Sequence, residues 1–171
     1  MDEAYPHAEW VSREYGGVPV GNLVEIFRLE KEFHSRILLT ASAEDRQRQY
    51  HELYERVHAL KQRDGNEMGE LGGFDRLVRT FRRELENKSV LDVGCGNGLF
   101  LTTLANLLPH GELWGLDTSS IGMKDTARPF RFLQKDITDF AVPRRFDIVF
   151  SHQVFEHIAP ADSVSHLRSI R

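Results

Sequence analysis

Val90-Leu91-Asp92-Val93-Gly94-Cys95-Gly96-Asn97-Gly98-Leu99-Phe100 is the stretch on which the fold of this chain turns. A short apolar run ends in three alternate glycines, and Leu99–Leu108 follows with apolar residues most of the way round a helix. Glycine lets the backbone turn tightly and lets a ligand approach without meeting a Cβ. The helix that follows presents unpaired N–H groups to whatever lies in the crevice. In an open α/β sheet that crevice, at the carboxyl ends of the strands, is where ligands bind. The spacing is not that of a dinucleotide fingerprint, G-x-G-x-x-G. The sixth position is Leu99 counted from Gly94 and Leu101 counted from Gly96. No Gly-Lys-Ser/Thr follows, which excludes a P-loop. What remains is Asp-x-Gly-x-Gly-x-Gly.

Downstream, short apolar runs alternate with helical ones. Ser89–Val93 reads as a first strand, Glu112–Leu116 as a second, Arg131–Gln134 as a third and Phe146–Ser151 as a fourth. Ser119–Thr126 reads as a short helix or turn. Strands alternating with crossover segments argue a parallel sheet with right-handed connections. Asp117 closes the second strand 19 residues after Gly98, and Asp136 follows the third strand another 19 residues on. A carboxylate at the end of a strand can accept both hydroxyls of a ribose. One at the next position can accept a hydrogen bond from an exocyclic amine, and Ile137 beside it can cover a ring face.

Upstream, the periodicity is helical. Leu23, Ile26, Phe27, Phe33 and Ile37 mark one side of a helix over Gly21–Thr40. Ser42 opens a second helix, with Asp45 three residues on as a weak capping box, and Tyr50, Leu53, Tyr54, Val57 and Leu60 as its stripe. Asp64-Gly65-Asn66 and the glycines at 69, 72 and 73 break it. Phe74, Leu77, Val78, Phe81 and Leu85 make a third stripe. The change of character near residue 88 divides the chain into an N-terminal helical segment, 1–87, and an α/β core, 88–171.

With 22 Lys and Arg against 26 Asp and Glu, the net charge is −4, which offers no basic footprint for nucleic acid. Cys95 is the single cysteine, so neither an intrachain disulfide nor a thiolate zinc cluster is available. The chain starts without a basic region and apolar run and has no apolar stretch of about 18 residues. The expectation is therefore a cytoplasmic protein with neither membrane nor nucleic-acid partner.

The series Asp92…Gly98, Asp117, Asp136, Phe146-Asp147-Ile148-Val149-Phe150-Ser151 and Val154-Phe155-Glu156-His157-Ile158 resembles class I S-adenosylmethionine-dependent methyltransferases. The resemblance covers roughly residues 88–160. It implies a Rossmann-like, mainly parallel sheet of order 3-2-1-4 for the part present, S-adenosyl-L-methionine as cofactor, and methyl transfer to a small-molecule acceptor. It further implies that Gly94, Cys95, Gly96, Asn97 and Gly98 wrap the methionine part with Asp92 supporting the loop. Asp117 and Thr118 would meet the ribose, and Asp136 and Ile137 the adenine.

Methyl transfer from a sulfonium needs an aligned nucleophile and, for a hydroxyl or amine, a proton acceptor. Ser151, His152, Gln153, Glu156 and His157 follow the fourth strand; His152 is nearest the crevice, where it either takes a proton or lines the pocket. Positions five apart lie about 140° apart on a helix, so His152, Glu156 and His157 do not make a metal site. Ser151-His152-Gln153-Val154 is not the Asn/Asp-Pro-Pro-Tyr/Phe of nucleobase-amine methyltransferases, and no Pro-Cys nucleophile is present. The expected acceptor is thus a small metabolite, with oxygen, nitrogen and carbon all open.

The family fold carries further strands beyond the fourth. Its absence here makes a second reading a non-catalytic or truncated cofactor-binding module that needs a partner chain. Val164, Leu167 and Ile170 give the last segment an amphipathic face, and the apolar fourth strand leaves an edge open to self-association. A nicotinamide-dependent oxidoreductase is disfavoured by the glycine spacing.

Overall fold

The computed structural model describes residues 19–62, 73–120 and 128–171, together with residues 7, 9, 10 and 12. The chain forms two compact units, Met1–Leu71 and Gly72–Arg171.

In the first unit, helix α1 (Val20–Leu39) pairs with α2 (Ala43–Gln62). Leu23, Ile26, Leu29, Phe33 and Ile37 are the buried stripe of α1, with Leu29 taking the place expected of the half-buried Phe27. Tyr50, Leu53, Val57 and Leu60 are buried on α2. Ser42 caps α2: its Oγ accepts the Asp45 N–H at 3.3 Å. The buried Arg46 ties the connection by donating to the carbonyls of Thr40 and Ala41, at 2.8 and 2.6 Å.

The second unit opens with α3 (Gly73–Thr80) and α4 (Arg82–Leu85). The change of sequence pattern at residue 88 therefore falls inside this unit, whose first two helices precede the first strand. Val78 and Leu85 are buried, but Phe81, placed on the same stripe by its spacing, is 51% exposed. The helix breaks at Phe81, whose ψ of 26° leaves the helical region.

Strand β1 (Val90–Val93) is buried along its whole length between β2 (Leu113–Asp117) and β4 (Ile148–Phe150), and β3 (Arg131–Gln134) lies outside β2. All three pairings are parallel and the order is β3-β2-β1-β4. That is the Rossmann-like order expected from sequence. Helix α5 (Leu99–Leu107) and α3 cover one face through Phe100, Leu101, Leu104 and Val78. Leu91, Val93, Trp114, Leu116, Ile137, Phe140, Val154 and Ile158 form the core on the other. Gly115 is required on β2, because a Cβ there would lie 2.7 Å from Cys95 Sγ.

Two polar devices set the ends of the sheet. Before β4, the Asp147 carboxylate accepts both the N–H and the hydroxyl of Ser89, at 2.8 and 2.7 Å, and the Asp147 N–H donates back to Ser89 Oγ at 3.0 Å. These bonds join β1 to β4 across 58 residues. At the other end, helix α6 (Ser163–Ile170) departs from the expected face: Val164 and Leu167 are 58% and 56% exposed, whereas His166 is 1% exposed. The reason is polar. His166 Nδ1 donates to the Ile137 carbonyl at 2.6 Å, and Ser169 Oγ accepts the Phe140 N–H at 3.1 Å, which turns that side of the helix toward the segment after β3.

Candidate cofactor and acceptor site

The glycine loop follows β1 at the carboxyl end of the sheet. Gly94, Gly96 and Gly98 all have positive φ, at 76°, 54° and 78°. Two of them are also closed to any side chain. A Cβ on Gly94 would lie 2.3 Å from Val154, and one on Gly98 would lie 2.1 Å from the Phe130 ring. Gly96 differs, because a Cβ there would meet nothing within 4 Å among the described residues. The loop thus keeps one glycine facing open space.

Its N–H groups are largely consumed in building the turn. Gly94 and Cys95 donate to the Leu116 carbonyl at 2.7 and 3.1 Å, and Gly98 donates to Cys95 O at 2.8 Å. Asn97 Oδ1 accepts the Leu99 N–H at 3.1 Å and so caps the first turn of α5. Arg128 donates to the Asn97 carbonyl. Cys95 is buried against Gly115, and burial, with Asp117 and Asp92 adding to it, pushes its thiol well above the usual range. Its side chain is a packing element and no nucleophile.

Asp117 is the keystone. Its Oδ2 accepts the Gly96 N–H at 2.8 Å and its Oδ1 accepts the Ser119 N–H at 3.0 Å, so the carboxylate clasps the loop after β1 to the loop after β2. Each oxygen still has a lone pair for a further donor. Thr118 is buried beside it, and its carbonyl accepts Gln134 Nε2 at 3.1 Å. Asp92 lies within the same wall, 4% exposed. Burial and the neighbouring Asp117 charge push its carboxyl up to about 8. A buried acid this close to the clasp suits a cationic group arriving in the crevice, since a nearby positive charge restores the carboxylate.

Asp136 lies two residues past the end of β3, where the Thr138 N–H and hydroxyl donate to its carboxylate at 2.8–2.9 Å. Burial raises its pKa against those bonds. Ile137, expected to cover a ring face, is 6% exposed and packs into the core with Leu116 and Phe140, so its side chain goes to the protein's own interior.

His152 is exposed just past β4, packed between Phe150 and Phe74. Gln153 next to it has a φ of 54°, and the 3-10 turn Phe155–His157 follows. Phe74 carries no chemistry of its own and is separated from β4 by more than seventy residues, so the sequence shows it only as the first member of the third apolar stripe. No cluster of metal-binding side chains occurs among the described residues, and no described helix is long and apolar enough to cross a membrane.

The open glycine, the doubly bonded Asp117 and the buried Asp92 fit a cofactor that brings a hydroxylated sugar and a cation to one crevice. Comparison with known proteins agrees with that chemistry. Residues 90–171 match the family described as "Methyltransferase domain". A malonyl-[acyl-carrier protein] O-methyltransferase of Paenibacillus sp. (strain JDR-2) is 29% identical over 104 residues, 54% of this chain and 38% of the relative. A ubiquinone biosynthesis O-methyltransferase of Proteus mirabilis (strain HI4320) is 29% identical over 89 residues, 47% of this chain and 36% of the relative. The chain therefore spans well under two thirds of the length of the curated relatives it matches. In fold, it is similar to an S-adenosylmethionine-dependent methyltransferase from Clostridium acetobutylicum ATCC 824, with a TM-score of 0.50 and 16% identity over 67% of this chain and 49% of the other. Residues 90–171 are thus similar in sequence to the methyltransferase-domain family, and the chain shares the Rossmann-like fold of an S-adenosylmethionine-dependent methyltransferase.

Proposed function

We propose that this protein transfers a methyl group from S-adenosyl-L-methionine to a small-molecule acceptor, in the cytoplasm. The observation that carries the reading is the Asp117 clasp on Gly96, with open space over that glycine at the carboxyl end of β1. When bound, the cofactor supplies a methyl group on a sulfonium, which an acceptor displaces directly.

The chain's own residues bind and orient. In this reading Gly96 gives the methionine part a surface without a side chain, with Gly94, Cys95, Asn97 and Gly98 shaping the turn. Asp92, buried at the end of β1, supports that loop. Asp117 accepts the ribose hydroxyls while keeping the loop closed, with Thr118 beside it, and Asp136 accepts the adenine amine. His152 stands at the acceptor side, exposed and with no hydrogen bond to its ring among the described residues, where it takes the acceptor proton.

Support for a small acceptor comes from the net charge of −4 and from the name of the ubiquinone biosynthesis O-methyltransferase relative. The half-exposed β4 supports a second reading, in which the chain binds cofactor and needs a partner strand for turnover. Calorimetry with S-adenosylmethionine, S-adenosylhomocysteine and NAD tests the cofactor class. Methyl transfer to a metabolite panel then separates enzyme from binding module: cofactor affinity without transfer to any acceptor favours the second.

A further inference from the structure

Four rings from distant parts of the chain meet at the carboxyl end of β4. Phe100 and Phe150 stack at 3.9 Å between centroids with their planes 20° apart, and Phe150 and His152 follow at 6.0 Å and 7°. Exposure rises along this series: Phe100 is 2% exposed, Phe150 is half-buried and His152 is exposed. Phe74, in the first turn of α3, braces both ends, lying 5.6 Å from Phe100 and 5.6 Å edge-on from His152.

A histidine that serves proton transfer alone is ordinarily oriented by a hydrogen bond on its far nitrogen. No such bond exists among the described residues, and the imidazole is placed by aromatic packing. The series of near-parallel rings ends at a planar group open to solvent, which is the arrangement that a further ring extends. Aromatic pairs favour offset-stacked or edge-on contacts at centroid distances of about 4.5–7 Å, the range already occupied by Phe74 and Phe150 around His152.

We propose that His152 and Phe74 form an aryl platform, and that the acceptor is a planar aromatic ring bearing the group to be methylated. The proposal rests on the methyl-transfer reading above. The platform needs only a flat ring at position 152, whereas proton transfer needs the imidazole, so the two roles separate on substitution.

The test uses the chain saturated with S-adenosylhomocysteine and two probes of similar size, 2-naphthol and its saturated counterpart decahydro-2-naphthol. The expected result is a preference of about 3- to 10-fold for the aromatic probe. It persists in His152→Phe and is lost in His152→Ala and in Phe74→Ala, with circular dichroism and S-adenosylhomocysteine affinity confirming that each variant is folded and loaded. Equal affinity for the two probes in the wild type, or a preference undiminished in His152→Ala, overturns the platform and leaves the cofactor reading standing. Failure of the wild type to bind S-adenosylhomocysteine overturns the methyl-transfer reading and the acceptor with it.

Discussion

Two buried acids set the residue-scale behaviour of the site, and they act in opposite ways. Asp117 makes two hydrogen bonds to backbone N–H groups and joins the two loops that frame the crevice. A hydrogen bond to a charged group contributes about 1.5–3 kcal/mol. Asp117→Ala is therefore expected to weaken S-adenosylhomocysteine binding by about 10- to 150-fold and to lower the Tm as well. Unchanged calorimetric affinity in the folded variant removes Asp117 from the cofactor site. Asp92 instead costs stability when charged. Its pKa rises from 3.8 to about 8 on folding, so between those values the folded state keeps a proton that the unfolded state releases. Stability falls as pH rises through that window, by at most about 6 kcal/mol. Asp92→Asn lacks this slope. Urea unfolding at pH 5, 7 and 9 should show the variant gaining on the wild type as pH rises; parallel pH profiles would refute the account.

At the scale of elements, the glycine loop divides its labour by position. Gly96→Val has room for its side chain but a φ of 54° to hold. It should cost about 1–3 kcal/mol of stability and abolish cofactor binding while helical content stays near wild type. Gly98→Val drives a β-branched side chain into Phe130 at a φ of 78°, so its first effect should be on folding, seen as the larger fall in Tm. If Gly96→Val binds cofactor normally, the loop is not the binding element. Helix α6 depends on a single buried imidazole. His166→Ala removes the donor to the Ile137 carbonyl and is expected to cost about 1–3 kcal/mol, exposing α6 first to hydrogen exchange. Full protection of α6 in the variant would show that Ile170 and the remaining contacts hold it unaided.

At the scale of the whole molecule, the sheet leaves two edges among the described residues, β3 and β4. Ile148, Val149 and Phe150 of β4 are apolar and only half-buried. Unpaired apolar edges invite another strand. The 171-residue chain is accordingly expected to self-associate in sedimentation, with a mass that rises with concentration. A mass that stays monomeric at every concentration shows that the β4 edge is no association surface.

What the sequence by itself determined is local. The apolar runs of β1 and β2, the glycine spacing, and the carboxylates at 92 and 117 were readable because each follows from neighbouring residues: strand length, turn chemistry and the end of an apolar run. Ser42 as a cap is of the same kind. Tertiary structure alone decided which partners those residues meet. It tied Asp117 to Gly96 across 21 positions and Ser89 to Asp147 across 58. It sent Ile137 into the core, and it turned α6 on His166 in place of Val164 and Leu167. It also gathered Phe100, Phe150 and His152 into one stack, with Phe74 braced against its two ends. Periodicity reports which side of an element is apolar, but burial depends on what packs against that side, and a buried hydrogen bond can outweigh the apolar stripe.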